Sequence, residues 1–235
     1  MAFTGGSLAE KNSAQCSLPN HSPLPQGRPP QSVSVDLPGP PVQTGAMVTG
    51  LSPRLAALRE ELDAATAMLH RIVGPLDDAM WRRRPRTGSW SAGECVEHLN
   101  ATSRAMLPLL RDKLRDAHAR GWTKPSARLD FFGWFLSRSL EPPVKRRFPT
   151  TQPFIPVTVG ARDTVLRDWD SLQRELAGLL IDADRLSLTR IKITSPFNAR
   201  IQYNAYSALR ITTAHQRRHL WQAEQALSAI ARQTR

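Results

Sequence analysis

Four stretches of this chain repeat apolar residues at spacings of three and four, a period that only helices sharing a core can satisfy. In the first, Leu55, Leu58, Leu62, Ala65, Leu69 and Ile72 fall on one face. Ser52 stands at the N-cap position and Pro53 at the first helical position, where a missing N–H costs nothing; Gly74-Pro75 closes the segment. The second opens at Ser91-Ala92-Gly93-Glu94, a capping box in which Ser and Glu each satisfy the other's backbone N–H. Cys95, Val96, Leu99, Met106, Leu109, Leu110 and Leu114 form its stripe, Pro108 is expected to kink it, and Gly121 to stop it. A third helix is predicted over 160–181 through Val165, Trp169, Leu172, Leu176 and Leu179. A fourth is predicted over 200–231, with Ala205, Ala208, Thr212, His215, His219, Gln222 and Ala226 facing inward. Four long helices and no convincing sheet predict an all-α bundle.

The connections are uneven. Residues 81–87 read as a polar, Arg-rich link, and 182–196 as a loop in which Ile191-Lys192-Ile193-Thr194 is short and extended. Residues 128–140, with Phe131, Phe132, Trp134, Phe135 and Leu136, are predicted to form a short buried helix. Residues 141–156 hold five prolines and are expected to be extended or turning, the kind of long connection that walls or covers a site.

Residues 1–46 are rich in Pro, Ser, Gly and Gln without either periodicity, so they are expected to be a disordered tail ahead of a folded domain over 47–235. Met47 follows directly, and translation is expected to start there. The first residues lack the charged-then-apolar order of a secretory signal, and no apolar run approaches the roughly 18 residues of a membrane span, so the cytoplasm is the expected location. Cys16 lies in the tail and Cys95 in a helix, an unpromising pair for a disulfide and too few thiols for a four-cysteine zinc site. The chain carries 32 Lys+Arg against 20 Asp+Glu, and the four charged residues of 1–46 cancel, so the whole excess of +12 lies in the folded part. Such a field favours anionic partners. The basic residues are interleaved with acids along several helices, which argues against a nucleic-acid-binding patch.

Histidine is the chemistry-bearing residue. His21 is in the tail, and His70 and His118 sit near helix C-termini, where the helix dipole favours them. His215 and His219 are one turn apart on the inward stripe of the last helix, so two imidazoles can converge on one ion; a hydrogen-bonded buried pair or a partly exposed pair is the alternative. His98 on the second helix is the candidate third ligand, and three neutral imidazoles with open positions make a catalytic type of metal site. Gln216 follows His215 where a zinc protease has its glutamate base, which argues against that mechanism. Glu94 is assigned to the capping box and Cys95 to packing. Arg217 and Arg218 are read as projecting away from the histidine face and receive no role.

The run Gly88-Ser89-Trp90-Ser91-Ala92-Gly93-Glu94-Cys95-Val96-Glu97-His98-Leu99, with Arg84-Pro85 upstream, resembles the second-helix signature of the DinB-like superfamily. Ser195-Pro196-Phe197 followed by His215-Gln216-Arg217-Arg218-His219-Leu220-Trp221-Gln222 resembles that family's closing helix, and the likeness extends over about residues 51–231. It implies an up-down-down-up four-helix bundle whose His98, His215 and His219 bind a divalent ion, often zinc or nickel, and which frequently forms homodimers. It also implies the activities of characterised relatives, which include thiol S-transferases and an isomerase using a low-molecular-weight thiol cofactor. The tail and the 128–140 segment depart from a compact member.

Three functions follow in order. The first is a metal-dependent thiol transferase or small-molecule hydrolase, with Trp134, Phe135 and Trp221 as candidate pocket walls, core packing being the leading role of each, and nearby Arg holding an acidic thiol. The second is a non-catalytic metal-binding or regulatory bundle, since no general base stands beside the histidines. A basic nucleic-acid binder is a distant third.

Overall fold

Amphipathic helices need partners, and the four long ones find them in each other. The computed structural model describes residues 50–144 and 150–233. The expectations for 1–46, including Cys16, His21 and a start at Met47, lie outside the described residues. Six helices are described: α1 (Pro53–Val73), α2 (Asp78–Arg82), α3 (Ala92–Ala119), α4 (Phe131–Leu140), α5 (Arg162–Ala183) and α6 (Ala205–Gln233). Strands β1 (Lys192–Thr194) and β2 (Gln202–Asn204) form a small antiparallel hairpin, pairing Ile193 with Tyr203. Helix α3 packs against α5 and α6, α1 packs against the same two, and α4 lies along α6. The predicted stripes are buried except for the half-buried Ile72 and Leu109: Leu55, Leu58, Leu62, Ala65 and Leu69 from α1, Cys95, Val96, Leu99, Met106, Leu110 and Leu114 from α3, and Val165, Trp169, Leu172, Leu176 and Leu179 from α5.

The helix ends follow local chemistry, with one correction. Ser52 occupies the N-cap of α1, but its side chain makes no cap bond; its backbone N–H donates instead to Asp184 Oδ1 (2.8 Å). Pro108 lies on the exposed side of α3, and the helix runs through it to Ala119. Gly121 then takes φ +64°, the left-handed conformation that closes a helix and that glycine adopts without strain.

The capping box of α3 is complete: Ser91 Oγ accepts from Glu94 N (3.1 Å), and Glu94 Oε2 accepts from Ser91 N (2.8 Å). Arg84, upstream, donates from Nε to the same carboxylate (2.9 Å). Burial pushes the Glu94 carboxyl up, but the hydrogen bonds from Arg84 and Ser91 and the Arg84 charge outweigh it and hold it below the ordinary range. With the folded value lowered, this contribution is complete above the unfolded carboxylate value of about 4.3 and is lost as pH falls through the folded one. Urea unfolding is therefore expected to find Glu94→Gln destabilised at pH 7, with the gap to wild type closing as pH drops below 4. A gap independent of pH would contradict this. Ser91→Ala is expected to cost about 1 kcal/mol in the same measurement.

Three expectations are corrected here. Residues 81–87 are not merely a polar link, because Trp81 ends up fully buried on α2, a helix capped by Asp77 Oδ1 accepting from Met80 N (2.7 Å). The 128–140 segment does form a helix, but it is not buried: Phe131 is 71% exposed and Trp134 52%, while Gly133 and Ser137 face the protein. Gly133 lets α4 approach, since a Cβ there would stand 2.0 Å from Ser207 Oγ of α6. Finally, α6 is buried around most of its circumference: Leu209, Ala214, Leu220 and Ala223 enter the core, while Thr212, His215 and Gln222 of the predicted inner stripe are only half-buried.

Candidate metal centre

Those half-buried residues border a cavity. It has a volume of about 1110 Å³ and is lined by His98, His215 and His219, by Trp90, Phe154, Ser195, Phe197, Arg218 and Trp221, and by the inner side of α4 through Leu136 and Leu140. The proline-rich connection after α4 supplies part of its wall through Thr151, Phe154 and Ile155, as its length and composition predict. Trp221 lines the cavity, whereas the expected walls Trp134 and Phe135 do not, because their rings point outward from α4.

His98 is buried on α3, His219 is buried on α6, and His215 is half-buried one turn before it. Ring centroids are 4.5 Å apart for His98 and His219, 4.6 Å for His215 and His219, and 5.0 Å for His98 and His215. One ring nitrogen from each can be chosen so that all three lie within 4.8 Å of one another. Trp90 stacks on His219 at 5.7 Å and covers one side of the cluster.

The hydrogen bonds decide what the cluster can hold. His98 Nδ1 lies 2.7 Å from the Phe154 carbonyl oxygen, which only accepts, so Nδ1 carries the proton and Nε2 of the neutral ring presents a lone pair. That Nε2 sits 3.2 Å from His215 Nε2. Two imidazole nitrogens sharing a tetrahedral zinc at about 2.0–2.1 Å would stand about 3.3 Å apart. His219 Nδ1 is buried and makes no hydrogen bond, an atom that lacks a partner within the protein. Among the described residues these three are the group of His, Cys, Asp or Glu placed to hold a metal ion.

Electrostatics keeps the rings neutral. Burial lowers His98, opposed by the Phe154 carbonyl. Burial, then His98 and Arg218, pushes His215 down to about 3. Burial, then His215, His98 and Arg218, takes His219 well below its ordinary value. Three neutral imidazoles are the protonation state that ligation requires.

The remaining histidines and the neighbouring groups fall elsewhere. His70 bonds Asp170 at the surface, and His118 bonds the Asp182 carbonyl. Gln216 turns into the core and pairs with Gln173 of α5 (2.7 Å), away from the cluster, so the protease geometry is absent. Cys95 is fully buried, and burial pushes its thiol up, which suits packing rather than nucleophilic work. Arg217 does point away, bonding Glu61 and Glu141. Arg218 does not: it is 8% exposed and lines the histidine cavity, a correction to its expected outward direction. Its position three residues after His215 carries that signal, because i and i+3 share a helix face. Phe154, whose carbonyl orients His98, has no comparable signal, because backbone groups carry no side-chain identity.

A mostly helical protein with three converging imidazoles at the edge of a large cavity is the class that fold and site define. The family model described as the DinB superfamily matches residues 61–223, and the chain belongs to that superfamily. No curated protein and no solved structure matches it. No helix among the described residues is long and apolar enough to cross a membrane.

Proposed function

We propose that this chain is a divalent-metal-dependent enzyme of small-molecule chemistry, a thiol S-transferase or a hydrolase, with His98, His215 and His219 as the metal ligands. The observation that carries the reading is the facing pair His98 Nε2 and His215 Nε2 at 3.2 Å, one proton already committed to Phe154, beside the orphaned His219 Nδ1. Zinc or nickel suits an all-imidazole set. When bound, such an ion lowers the pKa of a coordinated thiol or water toward neutrality. The chain's own contribution is to hold His98 in one tautomer through Phe154, to keep all three rings neutral by burial, and to provide a cavity large enough for a small substrate and a thiol.

The reading includes the up-down-down-up arrangement of the four long helices, a cytoplasmic location, and homodimers, for which the exposed aromatic side of α4 offers a surface. A non-catalytic metal-binding bundle is the second reading. It is favoured by the absence of Asp and Glu among the described residues lining the cavity, which leaves no carboxylate as general base.

A labelled-thiol transfer assay across a panel of electrophiles, run with zinc-loaded and nickel-loaded protein, separates the two. Turnover that disappears in His215→Ala is the expected result. No turnover with metal fully bound would decide for the second reading.

A further inference from the structure

Five of the eight large apolar side chains that stand exposed among the described residues fall at Leu129, Phe131, Phe132, Trp134 and Phe135. They form one patch: the Phe131 ring meets Phe132 at 5.8 Å and Trp134 at 6.4 Å between centroids. Their outward direction is built in. Gly133 and Ser137 seat the opposite side of α4, and Asp130, its N-cap, accepts from Asn204 N (2.5 Å) and Ser207 Oγ (3.1 Å). Contiguous exposed rings of this kind mark a contact surface.

Charge indicates what that surface meets. Arg128 before the helix and Arg138 near its end are both exposed, and Arg138 lies one turn beyond Trp134 on the same face. The neighbouring acids turn inward: Asp130 is held as above, and Glu141 pairs with Arg210 and Arg217. Between Asp116 and Glu141 the sequence sets Arg120, Lys124, Arg128 and Arg138 against Asp130 alone. Rings flanked by cations suit the headgroup region of an anionic bilayer, where the rings enter the interface and the long cationic side chains keep their heads at the lipid phosphates. A second copy of the chain fits less well. A stable dimer buries about 800 Å² on each partner, and the outer side of one helix about 15 Å long supplies a fraction of that.

From this we propose that α4 is a peripheral docking element for an anionic membrane surface, with Phe131, Trp134 and Phe135 entering the interface and Arg128 and Arg138 meeting the headgroups. No helix among the described residues can cross a bilayer, so the contact is with one leaflet. The proposal shares no residue with the metal centre. Leu136 and Leu140 line the cavity from the inner side of the same helix, so docking sets that wall beside the lipid.

The test is co-sedimentation of the full chain with vesicles of phosphatidylcholine alone and of equal parts phosphatidylcholine and phosphatidylglycerol. Binding is expected to be about thirtyfold stronger on the mixed vesicles, the factor that two cations at about 1 kcal/mol each supply. Arg138→Gln is expected to lower it about fivefold, and Phe131→Ser or Trp134→Ser about tenfold. Ile181→Ser, which removes an exposed apolar side chain from α5, is expected to leave it unchanged. Zinc uptake by all four variants is expected to match wild type. No binding to the mixed vesicles, equal binding to both kinds, or binding untouched by the α4 changes would each overturn the proposal. Analytical ultracentrifugation showing a dimer that Phe131→Ser splits, with vesicle binding absent, would overturn it as well and give the face to a second copy.

Discussion

His98→Ala and His215→Ala are each expected to abolish stoichiometric zinc binding, with affinity falling by more than the roughly 10–100-fold that loss of an orienting neighbour alone costs. Three imidazoles make up the protein's whole donor set among the described residues, and no carboxylate stands by to replace one. The loss is visible in stability as well as in metal content. A ligand present at about a thousand times its Kd stabilises the folded state by about 4 kcal/mol, and for a domain of this size each kcal/mol moves Tm by roughly 2–4 °C. Saturating zinc should therefore raise wild-type Tm by roughly 8–16 °C and leave both variants nearly unmoved. His70→Ala, at an exposed residue bonded to Asp170, should keep the full shift. Without metal, the sign of the pH dependence follows from the depressed imidazoles. Below about 6.5 the unfolded chain takes up protons that the buried rings refuse, so metal-free protein loses stability as pH falls, until the folded values are reached. Equal zinc shifts in wild type and in the two variants would place any bound metal elsewhere.

Trp81→Ala is expected to be the most damaging single change away from the histidines. The side chain is fully buried, its Nε1 donates to the Gly160 carbonyl (3.2 Å), and it packs so closely on Gly93 that a Cβ there would lie 2.8 Å from the indole. Removing a buried tryptophan leaves a cavity and costs about 3–5 kcal/mol, which translates to a Tm lower by roughly 6–20 °C. The consequence reaches the site, because Trp81 braces the first turn of α3, one turn before His98. There Glu97 Oε1 accepts from Gly160 N (3.0 Å), tying α3 to the segment that precedes α5. Trp81→Phe keeps most of the packing and loses the indole bond, so it should cost about 1 kcal/mol. Urea or thermal unfolding measures both. A loss below about 1 kcal/mol for the alanine variant would show that the α2–α3 junction does not depend on this packing.

How legible each element is in the sequence depends on which physics it obeys. Helices α1, α3 and α5 announce themselves because their buried faces are single stripes and their ends carry punctuation, the Ser91–Glu94 box above all. Helix α2 is hidden because five residues are too few to show a period, and its one core residue, Trp81, sits among arginines. Helix α4 is legible as a helix but not in its burial: Gly133 and Ser137 look like the solvent side and are in fact the contact with α6, while its aromatic rings stay outside. The strands are three residues each: β1 falls in the extended piece read over 191–194, whereas β2 has no alternation to register. At the site, the one-turn spacing of His215 and His219 and the family likeness at His98 are enough to group the three histidines. Arg218 is misread because α6 is treated as having one inward face, although α4 and the core cover it from different sides. The carbonyl of Phe154 comes from the irregular connection after α4, where no sequence rule locates a backbone group.

Everything functional rests on the three imidazoles acting as a single donor set. X-ray absorption spectroscopy at the zinc edge, on protein loaded with one equivalent, tests this most directly. The expected result is an imidazole-rich first shell of three nitrogens at about 2.0–2.1 Å with room for one or two oxygen ligands, replaced by a shell of water oxygens in His98→Ala, which no longer holds the ion. A shell of water oxygens in the wild type, a sulfur from Cys95, or a spectrum unchanged by His98→Ala would contradict it.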